Sequence, residues 1–123
     1  MVTLCTGAAR YARGERLSAH TYIFQYALDD LLTLITQHIP AQQSDLNDRF
    51  DPRRRFEQAY PDLSRLLEPI LTLTPTAAAL HLFEFAEHLF QHRTPAFPAP
   101  AITATRAYLQ MNDRARVNKG NHT

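Results

Sequence analysis

A chain of 123 residues, 45% of them apolar, makes one domain that can bury a core without staples. Its single cysteine, Cys5, excludes an internal disulfide, and a formal net charge of +1 gives the whole molecule no field that would favour nucleic acid. No apolar run nears the roughly 20 residues that cross a bilayer, and residues 1–9 lack the charged start of a signal peptide, so the expectation is a soluble, cytoplasmic domain with no membrane partner.

Strand signals are nearly absent and the 3.6-residue period is strong, which predicts an all-α fold. The pattern is that of an up-and-down helical bundle of five to six helices over residues 1–114, followed by a disordered polar tail, residues 115–123. The first helix is expected over about residues 2–13, closing at Gly14, with Cys5 packed on it as a small hydrophobe. A second, long helix follows from residue 15 or 16 to 38. Its polar positions Ser18, Gln25, Asp29, Thr33 and Thr36 form a narrow stripe, and the wide apolar arc of Leu17, Phe24, Ala27, Leu28, Leu31, Leu32 and Ile35 places it near the middle of the bundle.

Pro40 ends that helix, and the polar residues 41–51 read as a loop. Asp51-Pro52 reads as an N-cap followed by a first-turn proline, starting a short helix through about Tyr60. Pro61-Asp62 restarts the chain toward Leu73, with Pro69 kinking or dividing that stretch. Thr74-Pro75 starts a helix to about His92 with Ala79, Leu82, Phe83, Ala86, Leu89 and Phe90 on its packing face. The proline-rich residues 94–100 read as a stiff connector, and residues 101–114 as a last helix.

Chemistry-bearing constellations are sparse. His81, Glu84, His88 and His92 line up along one helix at spacings that suit a shared divalent ion, but one helix supplies only part of a coordination sphere, and the set reads as the wet flank of an amphipathic helix; no metal site is assigned. Asp29 falls on the polar stripe, whereas Asp30 falls near Tyr22, Ile23 and Tyr26, where an acid needs either an arginine partner from another helix or a wet cleft suited to a cationic or polyhydroxyl ligand. The Arg53-Arg54-Arg55 run has the charge to meet phosphates, but it reads as the charged first turn of a short exposed helix. Nucleophilic triads, phosphate-cradling glycine loops and paired CxxC motifs are missing, so no catalytic residue is assigned and this chain by itself is not read as an enzyme.

Two resemblances attach to these residues. The run Ala12-Arg13-Gly14-Glu15, leading into a long helix with Leu28, Leu31, Leu32 and Ile35, resembles the C-terminal helical, substrate-binding domain of lincosamide- and aminoglycoside-type nucleotidyltransferases. A fainter similarity to the same domain runs from Asp51-Pro52 through Phe56, Tyr60-Pro61 and Leu66-Leu67. This resemblance implies a helical domain that closes over a small polar acceptor and pairs subunits as a homodimer. It implies an N-terminal nucleotidyltransferase domain, in cis or in trans, that holds the nucleotide and Mg²⁺. This chain carries no cofactor of its own and begins where that catalytic domain would have ended. The groove residues expected from position are Arg13, Glu15, Tyr22, Tyr26 and Asp30.

The alternative is a stand-alone interaction module that dimerises through the apolar faces of the Phe24 and Phe83 helices. A third reading comes from Arg13 and His20, whose spacing is similar to the arginine-to-histidine spacing of the HEPN family of helical RNases. Gly14 falls inside that spacing and breaks the helix between them.

Overall fold

A computed structural model describes residues 2–42, 51, 53–90 and 99–121, with the side chains of the last helix described over 103–114. Among these residues the fold is an all-α bundle of six helices with no strand. Helix α1, Val2–Ala12, ends as its glycine dictates: Gly14 takes φ 86°, its N–H bonds to the Tyr11 carbonyl at 3.0 Å, and the Glu15 N–H reaches back to the Arg10 carbonyl at 2.9 Å. This pair of bonds is the Schellman closure, which satisfies carbonyls that a helix end otherwise leaves open. It also turns the chain sharply into the second helix.

Helix α2 covers residues 16–38 in three consecutive parts: an α-helical turn over Arg16–His20, a π-helical stretch over Thr21–Ala27, and a regular α-helix over Leu28–His38. The burial pattern gives the π stretch a reason. Ala19, Ile23, Ala27, Leu31 and Ile35 are all buried at strict intervals of four. In an α-helix each step of four overshoots a full turn by about 40°, so Ala19 and Ile35 would end about 160° apart. One inserted residue takes back about 100° of that drift, and both side chains stay fully buried. The helix ends before Pro40, with Ile39 in the extended conformation that a following proline favours.

The short helix expected from Pro52 begins later. Residues 53–55 form a turn, Arg55 takes φ 59°, and helix α3 covers Phe56–Ala59. A left-handed residue cannot continue an α-helix, which is why the helix waits until Phe56. Helix α4, Pro61–Leu67, has its proline in the first turn and tightens into a 3₁₀ stretch, Glu68–Thr72, where Pro69 withdraws a backbone donor. Helix α5, Pro75–Phe90, starts at its proline, with the Ala78 N–H bonded to the Thr74 carbonyl at 2.8 Å. Helix α6 covers Ala99–Asn121, taking Pro100 out of the expected connector and continuing past the expected end at Arg114. Residues 43–50 of the expected loop over 41–51 and the connector residues before Ala99 lie outside the described residues, as does His92.

The core gathers Leu4 and Ala8 of α1, the buried face of α2, Phe56, Ala59 and Tyr60, Leu67 and Ile70, Ala78, Ala79, Leu82 and Phe83 of α5, and Leu109 of α6. Helix α1 packs against α2, α5 and α6, so it shares the central place that the wide apolar arc predicts for α2 alone. Gly7 allows the close approach of α1 to α2, because a Cβ there would meet Ile23 Cγ1 at 2.6 Å. Cys5 is half-buried on α1, and burial pushes its thiol pKa up, which keeps the thiolate scarce at neutral pH.

Tyr60 closes the end of α2. Its hydroxyl donates to the Ile39 carbonyl at 2.8 Å, its ring stacks on Phe56, and burial raises its pKa. A raised folded-state pKa stabilises the fold fully below the unfolded value of about 10, and the contribution is lost as pH rises through the folded value. Tyr60→Phe is therefore expected to cost about 1 kcal/mol at neutral pH, the worth of one ordinary hydrogen bond. It should also flatten the fall in Tm above about pH 10, where phenols ionise. Thermal melts across that pH range compare the two proteins, and identical alkaline profiles would remove Tyr60 from the account.

Candidate functional site

The elbow between α1 and α2 brings together most of the side chains expected from the sequence. Arg10, on the last turn of α1, donates from Nη1 to Ser18 Oγ at 2.8 Å and stacks its guanidinium over the Tyr22 ring, 4.6 Å from the centroid. A cation over an aromatic face in a partly desolvated place is worth about 1 kcal/mol. Arg10 Nε is buried without a hydrogen-bond partner, a cost that the stacking and the Ser18 contact offset. Tyr22 meets Tyr26 edge to face at 5.2 Å, and Tyr26 stays 44% exposed, so the pair offers an aromatic wall to solvent.

Arg13 and Glu15 stand on the turn itself, paired at 2.8 Å. The hydrogen bond from Arg13 holds the Glu15 carboxyl below the usual carboxylate range, and the Arg13 and Arg10 charges add to it. Both members are exposed, so the pair contributes little to stability and stays open to exchange with a ligand. Arg16 stacks over Tyr11 at 5.6 Å on the same elbow. Arg10, Ser18, Tyr11 and Arg16 were not among the residues expected from position. The signal for Arg10 lies in its distance from the helix end, since the residue whose carbonyl accepts the closing bond from the Glu15 N–H stands at the turn into the next helix.

Asp30 does not join this group. It is exposed, whereas Asp29 is the acid that takes an arginine of another segment, pairing with Arg53 Nε. The expectation for the two acids is thus reversed, and the π stretch is the reason: the inserted residue rotates everything after Ala27 by about 100° relative to Tyr22. Arg53 is exposed as expected, but it lies in a turn ahead of α3 and not on the first turn of a helix. Its Nη2 donates to the Phe24 carbonyl at 2.6 Å and reaches the Gln25 carbonyl at 3.4 Å.

The remaining candidates separate. Arg13 lies on the turn bound to Glu15, His20 lies on α2 with its ring 4.6 Å from Phe24, and the left-handed Gly14 stands between them, so they do not share one helix face. Among the described residues no three His, Cys, Asp or Glu side chains are grouped as a metal ion requires. His81 and Glu84 instead line an open groove of about 460 Å³ with Leu66, Pro69, Ile70, Leu73 and Phe85. Phe83 is buried in the core, so α5 cannot offer it to a second subunit. The large apolar side chains that do reach the surface include Leu17, Leu66, Leu71 and Met111. Among the described residues no helix is long and apolar enough to cross a membrane.

No family model, curated protein or solved structure matches this chain.

Proposed function

We propose that the chain is the helical acceptor-binding and pairing domain of a nucleotidyltransferase-like protein, with the α1–α2 elbow as its acceptor groove. The observation that carries this reading is that the Arg10 guanidinium lies over Tyr22, which meets Tyr26 edge to face, while its charge also reaches Glu15 of the exposed Arg13–Glu15 pair, so that charges of both signs stand near an aromatic wall. Such a surface suits a small polyhydroxyl or amino-substituted molecule, whose ring faces stack on tyrosines while its polar rim exchanges with an exposed ion pair. Nucleotidyl transfer on this reading is the work of a separate catalytic domain with its own carboxylates, nucleotide and Mg²⁺. The exposed Leu66 and Leu71 supply apolar surface for subunit pairing in place of the buried Phe83.

The test is calorimetric titration of the protein with a lincosamide and with an aminoglycoside. One of the two classes is expected to bind, and Tyr26→Ala is expected to weaken that binding about tenfold, since one aromatic contact is worth about 0.5–1.5 kcal/mol beyond its area. A folded protein that gives no heat with either class would overturn the groove. If that same protein pairs reversibly on dilution, the stand-alone interaction module becomes the better reading.

A further inference from the structure

The hydrogen bonds around Arg53 follow the π stretch closely. The Leu28 N–H, which in an α-helix would bond to the Phe24 carbonyl, points instead to the carbonyls of Ile23 and Gln25. The Phe24 carbonyl that it skips is the one Arg53 Nη2 reaches at 2.6 Å, and the Gln25 carbonyl lies beside it at 3.4 Å. Arg53 Nε is meanwhile held by the Asp29 carboxylate, one turn further on. A planar guanidinium presents its donors in a fixed fork, so one side chain addresses both carbonyls and the acid at once. The turn that carries Arg53 is itself held by backbone bonds, the Arg54 N–H to the Asp51 carbonyl at 3.1 Å and the Phe56 N–H to the Arg53 carbonyl at 3.3 Å.

From this juxtaposition we infer that Arg53 holds α2 in its π register, and so acts as the positioning residue for Tyr22 and Tyr26. It supplies a donor to the carbonyl that the inserted residue deprives of its α-helical partner. Without it the segment has a competing arrangement, in which Leu28 takes the Phe24 carbonyl and the inserted residue is lost from the π turn. That change rotates residues 21–27 against the α-helix that follows by about 100°, which separates the tyrosine wall from Arg10. The alternative costs the buried positions of Ala19 or Ile35, so core packing and the guanidinium favour the same register.

The register is independent of any ligand, while its consequence for the elbow rests on the proposed groove. Scalar couplings across hydrogen bonds, measured by NMR on the isotope-labelled full chain, report which carbonyl each amide uses. In the wild type the Leu28 amide is expected to couple to the Ile23 carbonyl carbon. In Arg53→Gln a coupling to Phe24 should appear beside it, with the π register losing about tenfold in its ratio to the α register, the effect of one charge-assisted hydrogen bond. The Ile23 coupling alone, at wild-type strength, in folded Arg53→Gln overturns the inference.

Should Arg53→Gln fail to fold, Asp29→Ala decides, because Asp29 is half-exposed and its loss frees the guanidinium without touching the core. A mixture of the two Leu28 couplings is then expected, and a single coupling to Ile23 overturns the inference. A register that shifts while antibiotic binding stays unchanged would leave Arg53 in its role and remove the tyrosines from theirs.

Discussion

Gly7→Val is expected to lower the free energy of unfolding by about 3 kcal/mol, the upper end of the usual cost of overpacking. Gly7 lies in the buried face of α1, and a side chain there would begin 2.6 Å from Ile23 Cγ1, 3.0 Å from Ile23 Cδ1 and 3.3 Å from Tyr22 Cβ. Ile23 has no room to retreat, since it is fully buried. Replacing a helical glycine also removes a backbone entropy cost of about 0.5–1 kcal/mol, so Gly7→Ala should be milder, with a net loss of about 1 kcal/mol. Denaturant melts of the three proteins give the comparison. A valine variant as stable as the wild type would mean that α1 stands further from α2 than these distances allow.

The second large effect is expected at Leu109. Helix α6 places one fully buried side chain in the core over its described stretch, and that side chain is Leu109. Around it stand Tyr108, partly buried against the core, the half-buried Arg106–Glu87 ion pair, and the buried Thr76, whose Oγ1 donates to Asp113 Oδ1 at 3.5 Å. Leu109→Ala leaves a cavity and should cost about 3 kcal/mol, because such truncations lose both transfer free energy and packing. Hydrogen exchange should rise first in residues 103–114, where the remaining contacts are partly solvated and each is worth little. A loss below about 1 kcal/mol would assign the seat of α6 to the polar contacts instead.

Much of the helix plan is legible in the sequence because it is written by residues that act on their own backbone. Gly14 closes α1, Pro40 closes α2, and Pro61 and Pro75 open α4 and α5, each through a local restriction on φ or a missing donor. The start of α3 was not legible, since nothing local marks Arg55 as a left-handed residue. The π stretch is hidden from any reading that assumes 3.6 residues per turn, and with it the exchange of roles between Asp29 and Asp30. The available signal was the unbroken interval of four from Ala19 to Ile35 among apolar positions, which a regular helix cannot keep on one face.

The candidate site divides the same way. Arg13 and Glu15 are neighbours on a turn and Tyr22 and Tyr26 are one turn apart, so their pairing follows from spacing alone. Arg10 and Arg53 were missed because their partners depend on how separate segments fold together. Arg10 meets Ser18 and Tyr22 only once the elbow has turned, and Arg53 meets Phe24 and Gln25 only once its turn, far along the chain, lies against the surface of α2.

Arg53 takes hold of oxygen atoms that every residue type possesses. Phe24 and Gln25 can therefore be exchanged for other side chains while the grip survives, and variation at these two positions tells little about whether it is present. Chain length is another matter. Adding or removing a single residue between Ala19 and Leu28 moves a different carbonyl under the guanidinium and turns a different face to the core. This part of the molecule tolerates rewriting letter by letter but counts how many letters there are.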